Sequence, residues 1–367
     1  MKNLKKTLAL VLALVLCVSL FAACGGKNND APQKPANTQT GGSTGENEED
    51  AKVYRLSLSF HDSSQALKTK FVQSWADEVR EATNGRVDIT VYAGGTLAAA
   101  QDALDAVKQR TCDMAVCFTS FFPGQFPLTE VVSLPLTGIE NAVQATNVLW
   151  DLWESEKALQ EELSNYKVLM LYSNPNNIIG TTTPVYTADD MKGLKIRVSS
   201  GTPADMAVAW NATPMSISSS EIYQSVQKGV LDGYMIDLTG VNAWSLYEVT
   251  PYYTEMPFYV APWALLMNQE SWDALPEDLQ EIINGLSARD RSVAFAEVSE
   301  KEADETRELA VTQYNATVIH PDEAQLDTFR PAAKEYMADW VEKYGTDSFD
   351  AQAYVDKTLE LAEKYAA

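Results

Sequence analysis

The chain has 367 residues, with 51 acidic against 28 basic side chains and a formal net charge of −23. So acidic a molecule is a poor partner for nucleic acid or an anionic lipid surface, both of which are bound by neutralising phosphate with lysine and arginine. An anionic small ligand stays open to it, because salt screens distant surface charge over about 8–10 Å while a cation inside a cleft acts at close range.

Residues 1–23, MKNLKKTLALVLALVLCVSLFAA, carry three lysines, an unbroken apolar run from Leu8 to Leu16, and small residues before Cys24. The run is too short for a good membrane span and predicts a secretory signal that takes no part in the fold. Its removal takes three lysines and no acid, leaving −26. Residues 24–52 follow; from Gly25 to Lys52 they hold no aromatic and no β-branched aliphatic residue. Such a segment cannot bury a core and predicts a disordered tether with a root-mean-square reach of about 30 Å. From Val53 about 315 residues remain, more than one compact core usually holds, so two lobes are expected.

VYRLSLS, from Val53, alternates as a strand, and SSQALKTKFVQSWADEVREATNG has helical spacing up to an Asn84-Gly85 stop. RVDITVYAGG predicts a second strand and turn, AAAQDALDAVKQR a second helix, and CDMAVCF a third strand. Strands alternating with helices of this length imply parallel pairing in an α/β lobe. NAVQATNVLWDLWESEKALQEEL reads as a helix and KVLMLYS as a strand. In MKGLKIRVSSG, Leu194, Ile196 and Val198 alternate with Lys195, Arg197 and Ser199, so a strand is expected to end just beyond an arginine. ADMAVAWN and SSSEIYQSVQKG predict short helices, the second with a serine cap and Glu221 in capping-box position. VLDGYMID and YVAPWALLMN are further strands. From Pro276 to Tyr314 a helical pattern of about 40 residues would be about 60 Å long, so it either bridges both lobes or breaks near Gly285. ATVIHP predicts a last strand before two amphipathic helices.

Catalytic patterns are lacking. The two histidines, His61 and His320, lie far apart, and no zinc-helix, Cys-x-x-Cys, P-loop or dinucleotide motif occurs; the Gly-x-Ser-x-Gly pattern of a nucleophile elbow is met only at Gly41-Gly42-Ser43-Thr44-Gly45, in the expected tether, away from any strand-turn-helix context. Cys112 and Cys117 sit five apart, on opposite faces if both are on a strand, and are expected as buried free thiols. No enzyme activity, metal or cofactor is therefore expected.

Phe21-Ala22-Ala23-Cys24-Gly25 resembles the lipobox of bacterial lipoproteins, with Phe21 in place of the usual leucine and Leu20 one position earlier. That resemblance implies a lipid on Cys24 and attachment to the outer face of the cytoplasmic membrane, where two acyl chains anchor stably. The rest of the chain, through ATNGRVDITVYAGGTL, CDMAVCF, LTEVVSLPL, MKGLKIRV, NATPMSISSSEIYQSVQKGVLDG and WDALPEDLQEII, resembles the solute-binding proteins of tripartite ATP-independent periplasmic (TRAP) transporters, of the C4-dicarboxylate-binding DctP type. The resemblance implies a two-lobe α/β fold like that of type II periplasmic binding proteins, with the ligand cleft between lobes and a long helix spanning both. The lobes are expected as 53–175 with 263–302, and 176–262 with 303–367, the latter taking in the spanning and C-terminal helices.

In that family the arginine of Lys-Ile-Arg-Val pairs with the ligand carboxylate, and the motif falls on Arg197, with Ser200 beside it in a contact position. Independent chemistry agrees. A side chain at the carboxyl end of a parallel strand points into the crevice where α/β sheets bind ligands, and guanidinium forks match carboxylates. The alternative is a structural arginine paired with Asp190 or Asp205. Two family features differ: Asn177 stands where many members have a second arginine, and Ile236, in the DGYMID run ending at Asp237, replaces a ligand-binding asparagine. Trp210, Tyr234 and Trp263 are candidate apolar walls. Strand ends add His61 and Asp62, Thr119 and Phe121, Ser199, and Ser218 with Ser219. A monocarboxylate with an apolar or aromatic body is the expected ligand, held by a monomer that closes on it and docks on a small and a large integral membrane subunit. A binding protein of an ATP-driven importer, or a ligand-sensing partner of a receptor, would keep this site and change only the partner.

Overall fold

The computed structural model describes residues 52–199 and 201–366. The signal, Cys24, the tether and Ser200 lie outside the described residues. Strands β1 (Tyr54–Ser59), β2 (Val87–Tyr92), β3 (Met114–Phe118) and β4 (Tyr166–Ser173) alternate with helices α1 (Leu67–Ala82), α2 (Ala103–Lys108), α3 (Ala142–Ser155) and α4 (Lys157–Glu162). They build the first sheet, ordered β2-β1-β3-β10-β4, in which β10 (Pro262–Asn268) runs antiparallel between β3 and β4. The parallel pairing expected from strand–helix alternation therefore holds for β1 with β2 and β3 and fails at β10. The physical reason is that β10 returns from the second lobe without a crossover helix. Every residue of β10 is buried, as is usual for a central strand covered on both faces.

The second sheet, ordered β11-β9-β5-β8-β6-β7, contains β5 (Asn177–Thr181), β6 (Lys195–Arg197), β7 (Thr213–Met215), β8 (Gly233–Asp237), β9 (Tyr252–Glu255) and β11 (Thr317–Ile319). Short helices α5 (Thr202–Ala209), α6 (Ile222–Gln227) and α7 (Leu238–Ala243) connect these strands, and the predicted Ser218–Glu221 capping box forms ahead of α6. After β10 come α8 (Gln269–Asp273), α9 (Glu277–Gly285) and α10 (Ala288–Tyr314). The long helical pattern thus breaks beyond Gly285, where Ala288 takes a left-handed φ of 62°, and the remaining 27-residue helix still packs on both lobes. Apart from Phe295, its buried face is small, with Ser292, Ala296, Ser299, Ala303, Thr306 and Ala310. Hydroxyls on that face satisfy themselves by donating to the carbonyl one turn back, as Ser299 does to Phe295 at 3.0 Å.

Helices α11 (Glu323–Tyr344) and α12 (Ala351–Lys364), grouped with the second-lobe segment in the expected division, divide their packing. Phe329 of α11 packs against Trp210 of the second lobe, but Trp340 and the α12 residues Tyr354, Val355 and Ala362 belong to the apolar core around α3 in the first. The cause is the apolar face of α12, which the first lobe buries. Cys112 and Cys117 are buried and unbridged. Among the described residues no helix is long and apolar enough to cross a membrane.

Candidate functional site

A cavity of about 640 Å³ lies between the two sheets and is lined from both. On the second-lobe side, β6 runs parallel to β7 and β8 and ends at Arg197, whose side chain turns into the cavity. Arg197 is only 6% exposed. Its Nε donates to the Ile217 carbonyl at 3.3 Å and an Nη to Ser219 Oγ at 3.0 Å. Both partners are neutral, and among the described residues no carboxylate pairs with it, so burial alone pushes its pKa down to about 10. The structural alternative fails on geometry: Asp190 closes a capping box with Thr187, and Asp205 in the first turn of α5 has Lys343 as its neighbouring charge. A buried guanidinium lacking a counter-ion is a site that gains by taking up an anion.

On the first-lobe side the wall is aromatic. The Trp263 ring stacks with His61 at 5.2 Å and with Phe118 at 4.9 Å, and Phe121 sets its edge against Phe118 at 4.7 Å. Burial holds the His61 imidazole below its ordinary pKa, with Lys68 adding to that effect and Asp62 opposing it. Such a slab offers flat apolar area to a planar ligand. Between the lobes, Asp237 caps α7 by accepting from Thr239 N at 2.9 Å and Gly240 N at 3.2 Å, and it accepts from Asn174 Nδ2 at 3.0 Å.

The expected residues Arg197, Ser199, Ser219, Asp237, Asn177 and His61 all line this cavity. Asp237 does so with its oxygens already engaged as a helix cap and hinge clasp. Ser200 lies outside the described residues. Three expectations are corrected. Tyr234 points to the opposite face of β8, where its ring fills the space left by Gly180 across the strand pair and its hydroxyl meets Thr250. Trp210 ends α5 and is wedged edge-on between Phe258 and Phe329. Thr119 is buried and donates to the Pro262 carbonyl at 3.1 Å, tying β3 to β10.

Lys68, Phe118, Tyr259 and Glu302 line the cavity without having been expected there. Lys68 had a readable signal: it shares the inward helical stripe of Val72, Trp75, Ala76 and Val79, where a lysine is out of place unless it serves something. Glu302 gave none, because its heptad neighbours are mostly polar.

Two α/β lobes joined by crossing strands thus enclose a cleft in which Arg197, buried and without a carboxylate partner among the described residues, faces an aromatic wall. The chain belongs to the bacterial extracellular solute-binding protein family 7, DctP, whose profile matches residues 59–343. This bears out the resemblance read from its motifs. A solute-binding protein of Chromohalobacter salexigens is 29% identical over 229 residues, which cover 58% of this chain and 64% of that protein, so the match spans just under two thirds of that relative. A TRAP periplasmic solute-binding protein from Desulfovibrio salexigens, solved in an open form, superposes with a TM-score of 0.76 at 29% identity, covering 85% of this chain and 96% of its own. A marine-metagenome TRAP solute-binding protein, solved with metahydroxyphenylacetate, shares the fold with a TM-score of 0.80 at 22% identity, covering 86% and 100%.

Proposed function

We propose that this protein captures a small aromatic monocarboxylate between its lobes and hands it to the membrane subunits of a TRAP transporter. The observation that carries the proposal is Arg197, buried and held by neutral partners, opposite the Trp263–His61–Phe118 slab. A carboxylate supplies the missing counter-charge and takes the fork in bidentate fashion. The slab takes the ring. Ile236 in the lining, in place of a polar residue, keeps the body of the ligand apolar. A protein of the same fold holds an aromatic acid, so the architecture accommodates one.

Ligand contacts on both lobes form together only when the lobes close, so the ligand shifts an existing open–closed equilibrium by its extra affinity for the closed form. The closed form is then what the membrane subunits recognise. We read the protein as a binder without catalysis, because His61 lies flat on Trp263 and burial pushes the Cys112 thiol up to about 11. Lipidation at Cys24 with the 24–52 tether would keep the monomer within reach of its transporter.

A thermal-shift panel tests the ligand class. Benzoate and phenylacetate are expected to raise the melting temperature more than succinate or malate do. Stronger stabilisation by the dicarboxylates would overturn the assignment.

A further inference from the structure

The cavity has a second cation. Lys68, in the first turn of α1, is only 8% exposed. Among the described residues its Nζ has no hydrogen-bond or ion-pair partner; its neighbour is the Trp263 ring, 5.8 Å from Nζ to centroid. A buried ammonium with three donors and no acceptor among the described residues is left more open than the Arg197 guanidinium, which keeps two neutral acceptors.

The two cations sit in different electrical settings. Burial alone perturbs Arg197. Around Lys68 there are acids: Glu302 responds to Lys68, Asp237 and Asp62, and His61 responds to Asp62 and Lys68. These acids are held by other groups. Glu302 accepts from Asn242 Nδ2 at 3.1 Å, Asp237 caps α7, and Asp62 lies 3.5 Å from His61 Nε2. At this pole the acids outnumber the ammonium, so a second carboxylate on the ligand would meet a net negative field. A neutral hydroxyl suits it better, accepting from Lys68 Nζ while donating to Asp62 or Glu302.

We infer that Lys68 forms the far pole of the cavity and selects, among aromatic acids, those bearing a neutral hydroxyl on the ring. This rests on the aromatic-monocarboxylate reading of Arg197 and the Trp263 wall, and sharpens it into a two-pole specificity: carboxylate at Arg197, hydroxyl at Lys68.

Calorimetric titration of wild type and Lys68→Met with benzoate, 3-hydroxybenzoate, 4-hydroxybenzoate and isophthalate tests it. Wild type is expected to bind the better hydroxybenzoate about tenfold more tightly than benzoate, as a hydrogen bond to a charged donor gives. Isophthalate, which carries a carboxylate in place of the meta hydroxyl, is expected to bind more weakly than 3-hydroxybenzoate. In Lys68→Met the hydroxyl preference should fall to within about twofold while benzoate still binds. Lys68→Arg, which keeps a cation there, should retain the preference and serves if the methionine variant folds poorly. Equal binding of benzoate and hydroxybenzoates by wild type, a preference that survives Lys68→Met, its loss in Lys68→Arg, or tighter binding of isophthalate would each overturn the role of Lys68 and leave the aromatic-acid reading standing. Binding of succinate with no response to any of these aromatic acids would overturn both.

Discussion

Replacing Arg197 by methionine should make the ligand-free protein more stable while abolishing its response to ligand. Burial lowers the guanidinium pKa from 12.5 to about 10, so the charge costs about 3 kcal/mol to keep folded. A base with a depressed folded pKa is charged in both states below pH 10, so this cost is present in full at neutral pH and fades only between about 10 and 12.5. Methionine removes it, at the expense of the hydrogen bonds to Ile217 and Ser219, about 1 kcal/mol each. The net gain is about 1–2 kcal/mol. Unfolding a domain of this size carries an entropy of roughly 0.65 kcal/mol per kelvin, so the melting temperature should rise by about 2–3 °C. Ligand affinity should fall by at least two decades, because the carboxylate would be desolvated without a partner. Differential scanning fluorimetry with and without benzoate reads both effects. A variant that melts below wild type without ligand would show that Arg197 is held by a stabilising partner of its own and would refute the reasoning; a retained benzoate shift would refute the anchor.

Acidity is the next lever. Burial raises the carboxyls of Glu130, Glu162, Glu300 and Glu302, that of Glu162 from 4.5 to about 7. A raised acid holds a proton in the folded state that the unfolded chain has lost, so stability falls as pH rises from about 4.5 to 7, by no more than about 3 kcal/mol for Glu162. The lowered acids Glu78, Asp151 and Asp190 act only below about pH 4.5. Buried His61, held below 6.5, works the other way up to pH 6.5 because the unfolded chain binds its proton there, so the net decline is expected between pH 6.5 and 7.5. Across pH 5–7.5 the ligand-free melting temperature of Glu162→Gln should gain on that of wild type; a constant difference between the two would contradict this. Gly233→Ala should cost about 3 kcal/mol in urea titrations, because its Cβ would collide with the Gly180 carbonyl across β5 and β8 and backbone cannot give way. Ala288→Gly should gain about 0.5 kcal/mol by relieving a left-handed residue that carries a Cβ, less the entropy glycine adds to the unfolded chain; a loss would mean the Ala288 methyl packs usefully.

Long buried strands were legible because four or more apolar residues in a row or in alternation survive any tertiary context, as in β3, β4 and β10. Strand β7 was not, being three residues with Pro214 in the middle, too short for a period of two to register. Strand β9 is four residues of tyrosine, threonine and glutamate, again too short. Arg197 could be found because a cation closing an apolar alternation is conspicuous in sequence, and the cavity received it. Tyr234 and Trp210 could not be sorted from Trp263 by residue type. Only the pleat decides which aromatic faces the cavity, and for Tyr234 the deciding partner is Gly180, on another strand and far away in the chain.

The connections between the lobes explain why the polar groups of the cavity fall into two kinds. The chain passes from β4 to β5 through Asn174, and from β9 to β10 through Tyr259 and Ala261, with Asn174 N bonded to the Ala261 carbonyl at 2.8 Å and Asn177 N to the Tyr259 carbonyl at 2.9 Å. Helix α10 is a third connection and brings Glu302 to the cavity. Each connection thus contributes lining residues that are committed to one another: Asn174 to Asp237, Tyr259 to Ser120 at 3.1 Å, Glu302 to Asn242. Asn174, Asp237 and Tyr259, so bonded, have little capacity left for a ligand and form the floor of the cleft. Arg197 and Lys68 stand away from these connections, one on each lobe, with open valence. Under the lobe closure proposed above, a ligand that satisfies both at once would be stabilised chiefly in the closed form, so the two residues proposed to choose the ligand would also couple it to closure.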